Sequence, residues 1–124
     1  MSYVDGFVMA VPTANKERFT EHAEGFDTVF LELGALRVLE CWGDEVPDGK
    51  VTDFRRAVKA EGGESVVLSW VEWPDKATRD AAMAKMEGLM QSDPRFDQKT
   101  NPMPFDGLRM IMGGFTPVVD MKAS

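Results

Sequence analysis

The sequence contains one cysteine and one histidine, Cys41 and His22, among 124 residues. A single cysteine excludes an intrachain disulfide, and so few Cys and His exclude a structural zinc site, which takes four such ligands. No apolar stretch approaches the roughly 20 residues that a membrane-spanning helix needs. Residues 1–11 include Asp5 and lack the basic flank of a signal peptide. We therefore expect a cytoplasmic protein without a resident metal or prosthetic group.

Basic residues are also scarce, with 14 Lys and Arg against 21 Asp and Glu, which gives a net charge of −7. Broad electrostatic binding to nucleic acid needs a basic face, so this balance argues against a nucleic-acid partner. The apolar content of 44% and the length are typical of a single globular domain with its own core. We expect one domain over residues 1–124.

Hydrophobic periodicity predicts alternating strands and helices. The predicted strands cover residues 3–12, 35–42, 64–73 and 108–119. A first helix is expected from an N-cap at Thr13 to Leu33, closed by Gly34, and a second from an N-cap at Asp75. Residues 50–60 fit neither period well, and a short strand or arm is our interpretation. Residues 92–107 contain three prolines and are predicted to form a loop anchored by Phe96 and Phe105.

Three apolar surfaces are predicted from these periods. The first helix has a stripe that faces the sheet, formed by Phe19, Ala23, Phe26, Phe30 and Leu33. In the second helix we expect the small residues to pack closely on the sheet, namely Ala77, Ala81, Ala84 and Gly88. The first strand has one small face, Val4, Gly6, Val8 and Ala10, on which we expect the helices to pack. Its bulky face, which includes Asp5, suits a cavity or an interface.

The order of the elements predicts an α+β fold, the ferredoxin-like βαββαβ sandwich with an extra arm after strand 2. Both helices then cover one face of a four-stranded antiparallel sheet. The second face has too many large apolar residues for a free monomer. A two-fold homodimer with facing sheets, a dimeric α+β barrel, would cover it.

Ordered sequence blocks from residue 2 to about 120 carry a family resemblance. They are Asp5-Gly6-Phe7, Glu40-Cys41, residues 44–50, Ala57-Val58-Lys59, Ser69-Trp70, Arg79-Asp80, residues 103–107, Arg109-Met110-Ile111 and Gly113-Gly114-Phe115. Together they resemble the bacterial YbaA-like family of unknown function. The resemblance implies the dimeric α+β barrel fold and implies no reaction.

Three charged residues, Asp5, Glu40 and Arg109, lie within predicted strands, where a buried charge must be paired or change its pKa. If they meet inside the barrel, they form a polar grip in which the guanidinium holds a carboxylate or enolate and a carboxylate moves a proton. The alternative is an internal salt bridge or a solvated strand end.

Trp42 and Trp70 could form the walls of the same pocket, and Asp106 could lie on a lid over it. The alternatives are a place in the core or dimer interface for the tryptophans and a plain connection for Asp106. We interpret His22 as a helix-surface histidine, with a general base as the alternative, and Cys41 as an inert, partly buried thiol.

We therefore expect a homodimer that binds a small organic molecule and acts, if it is an enzyme, without a cofactor. Two alternatives remain open at this point. The basic residues of the arm at 50–60 could contact a protein or an RNA, or a filled barrel could serve only in assembly.

Overall fold

Four antiparallel strands form one sheet in the computed structural model, which describes residues 1–124. The strands are β1 (Tyr3–Pro12), β2 (Arg37–Trp42), β3 (Glu64–Trp73) and β4 (Ile111–Phe115), and the helices are α1 (Lys16–Glu32), α2 (Phe54–Ala57) and α3 (Lys76–Ser92). The strand order is β2-β3-β1-β4. This order, with α1 and α3 on one face, confirms the predicted ferredoxin-like sandwich.

Helix α1 carries the predicted apolar stripe, with Phe19, Ala23 and Phe30 buried against the sheet. Its start differs from the prediction, because a 3₁₀ turn over Thr13–Asn15 precedes it. The Thr13 hydroxyl does not cap the helix and lies 2.7 Å from the Ser65 hydroxyl instead. At the other end Gly34 has the expected positive φ of 114°.

The two faces of β1 are reversed relative to the prediction. The helices pack on the bulky face, here called the helix face, which presents Tyr3, Asp5, Phe7, Met9 and Val11. The small residues lie on the opposite side, here called the open face, together with Leu68 and Trp70 of β3 and Phe115 of β4. The large side chains of the helix face fill the space between the sheet and the helices better than the small side chains of the open face would. This difference in volume explains why the faces are reversed.

Helix α3 is rotated relative to the prediction. Its Asp75 cap is confirmed, since the Asp75 carboxylate accepts from the Thr78 amide at 2.7 Å. However, Ala82 and Met86 face the core, and the small residues expected there are exposed, namely Ala77, Ala81, Ala84 and Gly88. The rotation places Arg79 of α3 against the sheet.

The arm after β2 folds back over one end of the open face. Residues 54–57 form a short helix, where a short strand was our interpretation, and Asp53 caps it by accepting from the Arg56 amide at 2.7 Å. Val58 is 1% exposed and packs with Ala10 and Val66. The rest of the open face stays uncovered within the chain, with Leu68, Ile111 and Phe115 exposed.

Strand β4 is shorter than predicted, because Gly107–Arg109 form a 3₁₀ turn and regular pairing ends at Phe115. No bulge interrupts it, since Gly113 pairs with Gly6 and Gly114 with Asp5 in continuous register. The second glycine instead permits a close contact, because a Cβ at Gly114 would lie 2.9 Å from carbons of the Tyr3 ring.

We predict that Gly114→Ala destabilises the fold by about 1–3 kcal/mol, the usual range for forcing an extra methyl into a packed site. Gly88→Ala is the matched control, because nothing lies within 4 Å of its added Cβ. In an exposed helix this change should stabilise by about 0.5–1 kcal/mol. Urea unfolding measures both, and equal effects of the two changes would contradict the close contact.

Candidate functional site

A cavity of about 380 Å³ lies between the helix face of the sheet and the helices α1 and α3. Its lining is mostly apolar, and seven of the nine methionines contribute to it, all except Met1 and Met121. The loop after α3 closes one side. The predicted anchors hold this loop, since the Phe105 ring lies 5.9 Å from the Phe19 ring and the Phe96 ring 4.5 Å from the Phe26 ring.

The most buried charge of the cavity is Asp5, which is 3% exposed on the central strand β1. Its carboxylate accepts from Trp73 Nε1 at 2.9 Å and from Arg79 Nε and Nη2 at 3.1 and 2.8 Å. Arg79 Nη1 donates to Asp80 at 3.1 Å. These charge-assisted bonds raise the pKa of Arg79. Asp5 and Arg79 are thus mutually neutralised.

A second polar group of the cavity is the carboxyl pair Asp27 of α1 and Glu40 of β2. Burial, the hydrogen bond with Glu40 and the repulsion of its charge raise the pKa of Asp27 to about 9. At neutral pH Asp27 therefore keeps its proton. Glu40 lies on the edge strand and is exposed, so the pair stands where the cavity meets solvent.

Two further polar side chains of the cavity are buried. His22 is 8% exposed, and its Nδ1 lies 3.0 Å from Asn101 Oδ1. The interpretation of His22 as a surface histidine is therefore wrong, because the loop after α3 covers it. Ser69 is 3% exposed and lines the cavity with its hydroxyl. In the sheet it pairs directly with Glu40.

The grip predicted from the sequence consists of Asp5, Glu40 and Arg109. In the structure Asp5 and Glu40 line the same cavity, whereas Arg109 lies outside it. Arg109 makes two bonds of 2.7 Å to Glu64 at the start of β3 and one of 3.0 Å to Asp106. These bonds lower the pKa of Glu64 to about 2. Asp106 also caps the turn before β4 by accepting from the Leu108 amide. Arg109 and Asp106 therefore fix the turn before β4 to the start of β3.

Trp42 and Trp70 of the sequence-based site lie outside the cavity lining, and so does Cys41. Trp42 packs against Phe19 with ring centroids 6.0 Å apart, and Lys16 lies over its ring. Trp70 lies half-buried on the open face, where its Nε1 donates to Glu72 at 2.9 Å. Cys41 lies half-buried on the same face.

The basic arm uses its arginines to hold its own fold. Arg55 donates to the backbone carbonyls of Glu64 at 2.8 Å and Glu61 at 3.0 Å. Arg56 donates to the Gly49 carbonyl at 3.0 Å and lies 3.3 Å from the Asp53 carboxylate. These bonds engage both guanidinium groups within the arm, although only Arg56 has a carboxylate partner.

Sequence reasoning missed Arg79 and Asp27 as residues of the site, although a signal was present. Asp27 lies four residues after Ala23 and three before Phe30, within the apolar stripe of α1. Arg79 lies three residues before Ala82 and seven before Met86, on the same side of α3. A charged side chain within an apolar helical stripe must find a partner inside, which marks it as a candidate site residue.

No group of three or more His, Cys, Asp and Glu side chains is arranged to hold a metal ion. None of the helices combines the length and apolar character required to cross a membrane.

The fold and the cavity define a ferredoxin-like α+β protein with an apolar cavity between sheet and helices. The chain belongs to the family described as "Protein of unknown function (DUF1428)", whose model matches residues 2–107. It is 56% identical over 120 residues to the uncharacterised protein YbaA of Escherichia coli K12, covering 97% of this chain and 99% of that one. The YbaA protein of Shigella flexneri matches to the same extent.

A solved structure shares the fold at low sequence identity. It is the crystal structure of a dimeric ferredoxin-like protein from an uncultured marine organism, with a TM-score of 0.56 and 15% identity over 98% of both chains. At this identity the likeness supports the fold alone.

We predict that Asp27 makes stability fall as pH rises through the neutral range. Folded Asp27 keeps its proton up to about pH 9, whereas the unfolded carboxyl, with an ordinary pKa of 3.8, has lost it. The folded state thus binds more protons, and its advantage declines with pH by at most about 1.4 kcal/mol per pH unit.

The measurement is the urea unfolding midpoint at about pH 6 and about pH 8 for the wild type and Asp27→Asn, which carries no titrating group there. The variant should lose less stability between the two pH values. Asp44→Asn, at an exposed carboxyl, is the control. If Asp27→Asn declines as steeply as the wild type, Asp27 does not hold this proton.

Proposed function

We propose that the protein binds a small organic molecule in the cavity between α1, α3 and the sheet. The observation that carries the proposal is an apolar cavity of about 380 Å³ with a few polar side chains in its wall. Ligand sites typically have 300–1,000 Å³ and a few polar groups in an apolar wall. Ser69 and His22 supply such groups.

The methionines of the wall support binding of a flexible or variable organic body. Methionine is unbranched and polarisable, so a wall rich in it adjusts to the shape of a guest. The aromatic rings of Phe7, Phe26 and Phe30 add flat surfaces for apolar contact. An exclusively structural core would gain more from side chains that fill this volume.

The sequence-based expectation placed the ligand between two facing sheets, and the proposed site lies on the other side of the sheet. The alternative of an interaction module has less support, because Arg55 and Arg56 are bonded within the arm. The open face of the sheet therefore remains available for self-association.

We further propose that the protein is a homodimer formed through the open face. Leu68, Ile111 and Phe115 expose apolar side chains there, at 39%, 47% and 61%. An apolar patch on a sheet is a usual self-association surface. The solved structure that shares the fold is described as dimeric, which supports a homodimer.

To test the ligand site, we would label the methionine methyl groups with ¹³C and add 2-phenylethanol. The cavity methionines should shift on binding, while Met1 and Met121 serve as internal controls outside the cavity. Ala23→Leu, which adds volume to the cavity wall, should reduce the shifts. Ala81→Leu, on the exposed face of α3, should leave them unchanged.

The same spectrum shows whether each variant is folded. Equal shifts in all nine methionines, or binding that persists unchanged in folded Ala23→Leu, would contradict the proposed site.

To test the dimer, the molar mass in solution is measured by light scattering. The wild type should have twice the mass of the chain, and Phe115→Glu on the open face should shift the population toward monomer because it places a charge in the interface. Leu31→Glu is the matched control, since Leu31 is 50% exposed on the outer side of α1. A monomeric wild type would overturn the dimer and leave the ligand site untouched.

A further inference from the structure

We infer that the ligand is a protonated organic amine, whose ammonium group binds the Asp27–Glu40 pair while its apolar body fills the methionine-lined cavity. This inference rests on the proposed ligand site and names the chemical class of its occupant. It follows from which charged groups of the cavity already neutralise each other and which do not.

The guanidinium of the cavity is not free to hold an anion. All three nitrogens of Arg79 already donate to carboxylates, two to Asp5 and one to Asp80. An anionic ligand would have to displace Asp5, which is 3% exposed and also accepts from Trp73. Leaving that carboxylate buried without its partner is strongly unfavourable.

The remaining polar side chains of the cavity are the Asp27 and Glu40 carboxyls, the Ser69 hydroxyl and the His22 ring, whose orientation is fixed by the Asn101 amide. Its Nδ2 donates to the carbonyls of Arg95 at 2.7 Å and His22 at 3.3 Å, which directs Oδ1 toward His22 Nδ1. Asn101 Oδ1 therefore accepts the hydrogen bond from His22 Nδ1. The Ser69 hydroxyl, beside Glu40 in the sheet, also accepts or donates.

The charge of the cavity also favours a cationic ligand. Once Asp5 and Arg79 cancel, the carboxyl pair leaves an unbalanced negative charge at the apolar cavity. The low polarity of the lining strengthens its attraction for a cation. An ammonium group offers up to three N–H donors, which suits two carboxyl groups and a neighbouring hydroxyl. The Phe26 ring, also in the wall, is attractive to a cation as well.

The test compares three probes with the same phenyl body: 2-phenylethylammonium, 2-phenylethanol and 3-phenylpropionate. Dissociation constants come from titrations of the ¹³C-methyl methionine signals. We expect the ammonium to bind about tenfold more tightly than the alcohol, the gain typical of one charge-assisted hydrogen bond, and the carboxylate to bind most weakly.

Glu40→Gln should remove most of the preference for the ammonium and leave the affinity for the alcohol nearly unchanged. Glu45→Gln, an exposed carboxyl just after β2, is the matched control and should keep the preference. Asp27→Asn provides a second variant of the pair if Glu40→Gln alters the methionine spectrum before any probe is added.

The outcomes distinguish a failure of the inferred ligand class from a failure of the proposed ligand site. If the alcohol or the carboxylate binds in the cavity as tightly as the ammonium, the inferred ligand class is wrong and the ligand site stands. If no probe shifts the cavity methionines, both are wrong. If the preference survives in both folded pair variants, the ammonium is not held by Asp27 and Glu40.

Discussion

The bond between Asp5 and Arg79 determines how the two layers of this molecule meet. A carboxylate that is 3% exposed on a central strand must be paired, because burying it alone is very costly. Its partners come from both layers, Trp73 from the sheet and Arg79 from α3. Because the guanidinium must face the sheet, Ala82 and Met86 on the same side of α3 enter the core, and the small-residue side turns outward.

This pairing also sets the electrostatics of the cavity. It removes the only guanidinium of the lining from use and leaves the Asp27–Glu40 pair as the charged group nearest solvent. Burial then favours the neutral form of Asp27, so that one proton remains where two carboxylates would repel each other. The site is therefore polarised, with a neutralised ion pair at the sheet and an acidic group at the opening.

The period-2 pattern of β1, the apolar run of β3 and the stripe of α1 were predictable, because each is a local pattern with many members. The direction in which β1 faces the helices was not, since both of its faces are apolar and alternation alone does not order them. The rotation of α3 depends on a contact between residues 74 positions apart, Arg79 and Asp5. Asp5 and Glu40 were recognisable as candidates because each is a charged residue within a predicted strand. Their cation was not, because the pairing of Arg79 rather than Arg109 with Asp5 depends on the same long-range contact.

The alternation of β1 also places the two proposed binding surfaces on opposite sides of the sheet. Phe7 and Met9 point into the cavity, while Gly6 and Val8, which alternate with them, belong to the open face. Had ligand and partner shared one barrel interior, a change of oligomeric state would alter the ligand site directly. With the sheet between them, Phe115 can bind a second chain and Glu40 a small molecule without sharing any atom, because a strand exposes successive side chains on opposite sides. The two proposed activities therefore fail or succeed independently.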